Sequence, residues 1–167
     1  MHLFLSINGK TEIPIKSIKE YTASELALLV IATKAKSIEK SELYSSFNLG
    51  AQTIRKAIYS LSKKGHVYMD WHTVYFMQQN TDTVEVSLKP AMLYFKKEIT
   101  ATELRVLYAM ELLSQMHKQL NAKNISALLN MDRSEASKAL ISLNSKGLLT
   151  KHNNDSAAHH YYSLGSE

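Results

Sequence analysis

"NMDRSEASKALISLNSKGLL", residues Asn130–Leu149, combines a polar strip at helical spacing with an abrupt stop. Arg133, Ser134, Ser137 and Lys138 recur on one side, and the segment ends at Lys146-Gly147 followed by Leu148-Leu149. A buried helix has no use for such a strip, and a merely soluble helix would carry more Glu and Lys at i,i+4. The strip suits a polar partner of opposite charge; the plain alternative is a solvated face, which any surface helix supplies. A glycine just past the last periodic residue is the helix stop that a left-handed backbone favours.

Working outward, the same text occurs earlier in the chain. "FNLGAQTIRKAIYSLSKKGHV" (Phe47–Val67) aligns with "LNMDRSEASKALISLNSKGLL" (Leu129–Leu149) at a shift of 82. "YTASELALLVIA" (Tyr21–Ala32) aligns with "ITATELRVLYAM" (Ile99–Met110) at a shift of 78. The extra four residues fall around "LLSQMHKQLNAKN". The lead-ins "EIPIK" (Glu12–Lys16) and "EVSLK" (Glu85–Lys89) also correspond. Repeated segments in one order imply two similar units. We divide them at residues 1–80 and 81–167, where "MQQNTDT" loses its apolar pattern.

Each unit is expected to run lead-in strand, three helices, two-stranded hairpin. Asn8-Gly9 between alternating apolar residues is a hairpin signal, and Pro14 places its strand at an edge. Thr22-x-x-Glu25 and Thr100-x-x-Glu103 are capping boxes opening the first helices. Leu26, Leu29, Val30 and Thr33 line one face of the first; Leu104, Leu107 and either Glu111 or Leu112 line one face of the second. Leu43 and Phe47, or Ile125, Leu128 and Leu129, mark the short second helices. The third helices bury Ile54, Ile58 and Leu61, or Ala136, Leu140 and Leu143. Asp132 and Glu135 read as a further cap and box partner at the start of the last helix. "HVYMDWHTVYFM" and "LLTKHNNDSAAHHYYSL" then form hairpins around Asp70–Thr73 and Asn153–Ala158. The fold class is therefore α+β, mainly helical, with two tandem winged helix-turn-helix domains.

The second unit resembles the MarR-type winged-helix domain, whose pattern is a helix-turn-helix, then Leu-x-x-Lys-Gly and two apolar residues. Leu143, Lys146, Gly147, Leu148 and Leu149 match it at the expected spacing. The first unit keeps Leu61, Lys64 and Gly65 but has His66 in an apolar slot. Members of that family usually hold one such domain per chain and dimerise through extra terminal helices, from which this chain departs. A tandem pair is similar to plasmid or phage replication initiators, and to the winged-helix subunit that clamps the kleisin of bacterial condensin.

The resemblance implies double-stranded DNA as partner, with the third helix in the major groove. The outward residues are Gln52, Thr53, Arg55, Lys56, Tyr59 and Lys63 in the first unit, and Arg133, Ser134, Ser137, Lys138 and Ile141 in the second. Arg can pair bidentately with guanine and Gln with adenine, while the other cations neutralise phosphate. Lys151, His152 and Asn153 on the second wing are candidate backbone contacts. The 167-residue chain carries a formal charge of +5, and +4 of it lies in the first unit. The first unit should therefore contribute more affinity. On the first wing Asp70 argues against phosphate, and Trp71 is expected to pack on its own hairpin or on the other unit.

Other functions have little support. There is no cysteine, so disulfides, cysteine nucleophiles and thiolate metal sites are excluded, and a reducing cytoplasm beside the nucleoid is expected. No apolar run reaches the ~20 residues of a membrane span, and "MHLFLSINGK" is too short for a signal peptide. Adjacent His159 and His160 would point to opposite faces of a strand, which is a poor basis for a metal site. No cofactor, catalytic constellation or small-molecule effector is legible. Tyr44, Tyr59, Tyr68, Tyr75 and Tyr94 read as core or half-core, and His66 as half-buried. The rival to DNA binding is a protein-interaction scaffold. It rests on the near-neutral second unit and on Val106, Tyr108, Met110 and Leu113, which leave apolar surface on several sides of one helix. Those residues suit the centre of the molecule or a homodimer.

Overall fold

The computed structural model describes residues 9–153 and 160–165, and side chains at all of these except 153 and 160. The protein is α+β and mainly helical, with small antiparallel sheets. The first half runs β1 (Lys10–Pro14), α1 (Ile15–Glu20), α2 (Ala23–Ala35), β2 (Ser37–Glu39), α3 (Lys40–Ser46), α4 (Ala51–Lys63), β3 (Val67–Met69) and β4 (Thr73–Phe76). The second runs β5 (Thr83–Ser87), α5 (Lys89–Phe95), α6 (Ala101–Gln115), α7 (Ala122–Leu129), α8 (Arg133–Ser145), β6 (Leu149–Asn153) and β7 (His160–Leu164). The order repeats except for β2. In the second half the third-strand position keeps one backbone bond, from Tyr162 N–H to Leu120 carbonyl at 2.9 Å.

Both capping boxes form. Thr22 and Thr100 accept the N3 amides, while Glu25 and Glu103 reach back to the N-cap amides. The expected box at α8 does not. Asp132 occupies the N-cap position but makes no side-chain cap hydrogen bond. Both Asp132 and Glu135 are exposed, where solvent can satisfy the first-turn amides.

Two further expectations need correction, and one pairing was not foreseen. Among the described residues each half has four helices, because α1 and α5 follow the lead-in strands at once; six or seven residues are too few to show a helical period. The lead-in strands also pair with each other, β1 antiparallel to β5. The hairpin expected across Asn8-Gly9 involves residues 1–8, which lie outside the described residues. In that pairing Glu12 faces Glu85, its own repeat equivalent, while Ile13, Val84 and Val86 turn inward. A local two-fold relation between the halves therefore runs through the Glu12–Glu85 pair. Lastly, α2 is buried on all sides rather than along one face, as is α6, whose apolar surface on several sides suited the centre of the molecule. Residues 25–33 are all buried, as are residues 106–110.

The two-sided burial follows from what surrounds these helices. α2 packs on α4, α5, β1 and α6, while α6 packs on α5, α7, α8 and β5. The short helices cross over: α1 lies against α6 and α7, and α5 against α2. Phe47 at the end of α3 stacks on Phe95 of α5, with ring centroids 4.2 Å apart. Buried apolar residues from both halves consequently form one continuous cluster. Each fully buried Leu or Ile there is worth about 1.5–3 kcal/mol. Tyr108 is wholly buried; its hydroxyl donates to the Ser87 carbonyl and accepts from the Ala91 amide, tying α6 to the β5–α5 junction. Among the described residues, no helix is long and apolar enough to cross a membrane.

Candidate nucleic-acid interface

The Leu-x-x-Lys-Gly signature resolves into a helix-ending device built twice. At the end of α4, Lys64 is the C-cap and Gly65 has φ +81°. Gly65 N–H bonds the Ser62 carbonyl, and His66 N–H bonds the Leu61 carbonyl. At the end of α8, Gly147 N–H bonds the Asn144 carbonyl, and Leu148 N–H bonds the Leu143 carbonyl. Both are Schellman motifs, with the Leu at C3 and the Gly at the left-handed position.

The lysine of each signature is committed inward. Lys64 Nζ bonds Glu25 Oε2, the capping-box carboxylate of α2, and Ser60 Oγ donates to the same oxygen. Lys146 Nζ bonds Glu103 Oε1 of α6 at 2.8 Å and the Glu98 carbonyl at 3.1 Å. Burial alone pushes the Glu25 carboxyl up, but the bonds from Lys64, Ser60 and Thr22 outweigh it and hold the group down at about 2. Glu103 is likewise lowered: burial opposes, and Lys146, Thr100 and Ser142 prevail. Each lock fixes the end of α4 or α8 against the buried helix beneath it. Sequence reasoning found the boxes and the Lys-Gly motifs but did not join them. The signal was present, since Glu25–Lys64 and Glu103–Lys146 recur in both copies.

Between lock and N-terminus, α4 presents the expected face. Gln52, Thr53, Arg55, Lys56, Tyr59 and Lys63 are all exposed, and no acid lies on the helix. Ile54, Ala57, Ile58 and Leu61 fill the other side. Lys63 Nζ sits 4.6 Å from the Tyr59 ring centroid, and the Arg55 guanidinium lies 5.6 Å from that of Tyr44 on α3. Tyr59 is 56 % exposed and Tyr68 53 %, so neither belongs to the core. On α8, Arg133, Ser134 and Lys138 are exposed and Ser137 is half-buried. The same face carries the uncapped acids Asp132 and Glu135, with Ile141 59 % exposed at the position of Tyr59. The turn into α8 is short, with Asn130 left-handed at φ +53°.

On β6, Lys151 is exposed, whereas His152 is half-buried with its Nε2 bonded to Ser163 Oγ at 2.9 Å and its ring stacked on Tyr161. Asn153 pairs through its backbone with His160. Residues 154–159, which include the wing tip and His159, lie outside the described residues. His66 is buried rather than half-buried, its Nε2 bonded to the Tyr21 hydroxyl. Burial and then Lys64 lower its pKa, which favours the neutral ring. Trp71 corrects the sequence reading most sharply: it is 90 % exposed and packs on neither hairpin nor core. Among the described residues, no group of three or more His, Asp or Glu is placed to hold a metal.

No family model and no curated protein matches the chain. Among solved structures, the DIP2311 protein from Corynebacterium diphtheriae aligns at a TM-score of 0.32 and 11% identity, over 93% of this chain. The chain spans 28% of the length of that protein.

Proposed function

We propose that the chain is a sequence-specific double-stranded DNA-binding protein made of two tandem winged helix-turn-helix domains. Its role in this reading is transcriptional regulation, with replication initiation as a variant of the same binding chemistry. The observation that carries it is the α4 face: six exposed polar, cationic or aromatic residues on an acid-free helix, locked at its C-terminal end to the core. Arg55 and Gln52 lie within the first two turns, the part of a recognition helix that meets base edges. Lys56 and Lys63 suit phosphates. With α8 in a neighbouring groove, one chain covers ~15 to 20 base pairs.

A second reading is favoured by one observation. Asp132 and Glu135 are not spent on a cap, so α8 opens with two free negative charges beside an exposed Ile141. That mixture fits a protein partner better than a phosphate backbone, as in an interaction scaffold. Fluorescence anisotropy with random-sequence duplex DNA, titrated across salt, separates the two. DNA binding gives log K falling with log salt at about −0.9 per phosphate neutralised. Absence of binding even at low salt sinks the DNA reading and leaves the scaffold.

A further inference from the structure

The first hairpin ends in a turn built to hold Trp71 outward. Asp70 N–H bonds the Thr73 carbonyl, closing a two-residue loop of Trp71 and His72. Asp70 Oδ1 accepts the His72 and Thr73 amides at 2.8 and 2.7 Å, and the Tyr75 hydroxyl donates to Oδ2 at 3.3 Å. From the other side, the Lys40 amide bonds the His72 carbonyl at 2.7 Å, stitching the loop to the start of α3. β2 extends the same sheet, with Glu39 opposite Thr73. A surface loop with this many internal bonds presents its side chain at little further entropic cost. What it presents is the largest apolar side chain of the protein, almost wholly in solvent.

Trp71 lines a cleft of about 380 Å³ together with Glu39, Lys40, Ser41, Tyr44 and His72. Tyr44 connects that cleft to the α4 face, because its ring carries the Arg55 guanidinium. An aromatic wall, neighbouring cations and continuity with a cationic helix face are what base stacking uses on single strands. The Glu39 carboxylate on the same wall makes the cleft a place for a neutral base, with the phosphates falling toward Lys40 and Arg55.

Resting on the DNA reading above, we infer that this cleft takes an unpaired nucleobase, stacked on Trp71, at a duplex end or fork bound along α4. The protein would then prefer DNA with locally opened strands over uniform duplex. Trp71 is the sole tryptophan, so its emission reports the contact directly. The experiment compares a blunt duplex with the same duplex carrying short unpaired arms, using the full chain and its Trp71→Ala and Trp71→Phe variants. Expected are quenched emission, about tenfold tighter binding of the forked duplex, loss of that preference in Trp71→Ala and partial retention in Trp71→Phe. Equal binding of both duplexes with unchanged emission overturns the inference and leaves duplex binding standing. No binding of either at low salt overturns the DNA reading itself, and this inference with it.

Discussion

The two halves end their α4 and α8 helices with the same chemistry and present different surfaces on them. Leu61, Lys64, Gly65 and Glu25 have counterparts in Leu143, Lys146, Gly147 and Glu103, and the backbone bonds of the cap and its Lys–Glu bond recur. The outward faces diverge at most positions, although Lys56 is matched by Lys138. Tyr59 becomes Ile141, and the acid-free start of α4 becomes Asp132 and Glu135 on α8. What must stay the same for the helix to sit on its core is repeated; what would meet a partner is not. The halves thus share a scaffold and differ in the surface they build on it.

The largest effect that could break this comparison is on DNA affinity. Replacing Arg55 and Lys56 together by Ala should weaken duplex binding about a hundredfold, taking each contact at ~1–2 kcal/mol. The equivalent loss from Arg133→Ala with Lys138→Ala should be several-fold smaller, because the neighbouring acids already offset those cations. Anisotropy titrations at fixed salt read both. Equal losses would abolish the asymmetry and restore two equivalent readers.

Next comes the lock. Lys64→Met and Lys146→Met should each destabilise the fold by about 2 kcal/mol, a fall in Tm of roughly 4–8 °C, since a buried carboxylate loses a partly exposed partner. Calorimetry should find the two alike, in contrast to the DNA result. The same groups set a pH dependence. The folded pKa of Glu25, about 2, lies below its ordinary 4.5, so its contribution is complete above pH 4.5 and is lost as pH falls toward 2. Glu103 shifts in the same direction. Lys64→Met should flatten that acid limb, and an unchanged acid titration would mean that another carboxylate governs it.

How much of this was legible in the sequence depends on the range of the interaction. The capping boxes of α2 and α6, the glycine stops and the apolar sides of α4 and α8 rest on residues within one or two turns, and they were read correctly; the box expected at α8 does not form. The pairing of β1 with β5, the crossing of α1 and α5, and the all-round burial of α2 depend on contacts between halves, which local periodicity does not encode. For α2, "LALLVIA" is apolar all round, and that text alone argued against a one-sided helix. Trp71 failed for a different reason. Apolar size predicts burial on average, but here Asp70 rigidifies a loop that leaves the Trp71 side chain almost wholly in solvent. The α4 face was legible because exposure follows from the apolar side opposite it; its partner was not, since charge alone does not name a ligand.

A smaller difference should appear at the helix stops. Gly147→Ala meets no neighbour within 4 Å but must hold φ +77°, for about 1 kcal/mol. Gly65→Ala carries the same strain, and its new methyl would lie 2.9 Å from Gln79 Nε2, whose bond to the Lys64 carbonyl must shift. Urea denaturation should therefore rank Gly65→Ala as the more destabilising. Equal losses would mean that Gln79 yields freely.

The smallest effect lies on the local two-fold itself, where Glu12 and Glu85 oppose each other at the strand surface. Like charges directly opposite are unfavourable, and an opposite pair there is worth roughly 0.2–1 kcal/mol. The two positions are not interchangeable, because Lys10 Nζ lies 3.9 Å from Glu85 Oε1. Glu12→Lys removes the repulsion, faces Glu85 with a cation and leaves the Lys10 contact intact. Glu85→Lys also removes the repulsion, but it sets a cation beside Lys10 and forfeits that contact. Thermal melts at low salt should raise Tm for Glu12→Lys and leave Glu85→Lys near the parent. High salt should erase the difference, because both sites are exposed and screened. If the two variants shift alike at low salt, Lys10 contributes nothing and the strand pair is electrostatically symmetric.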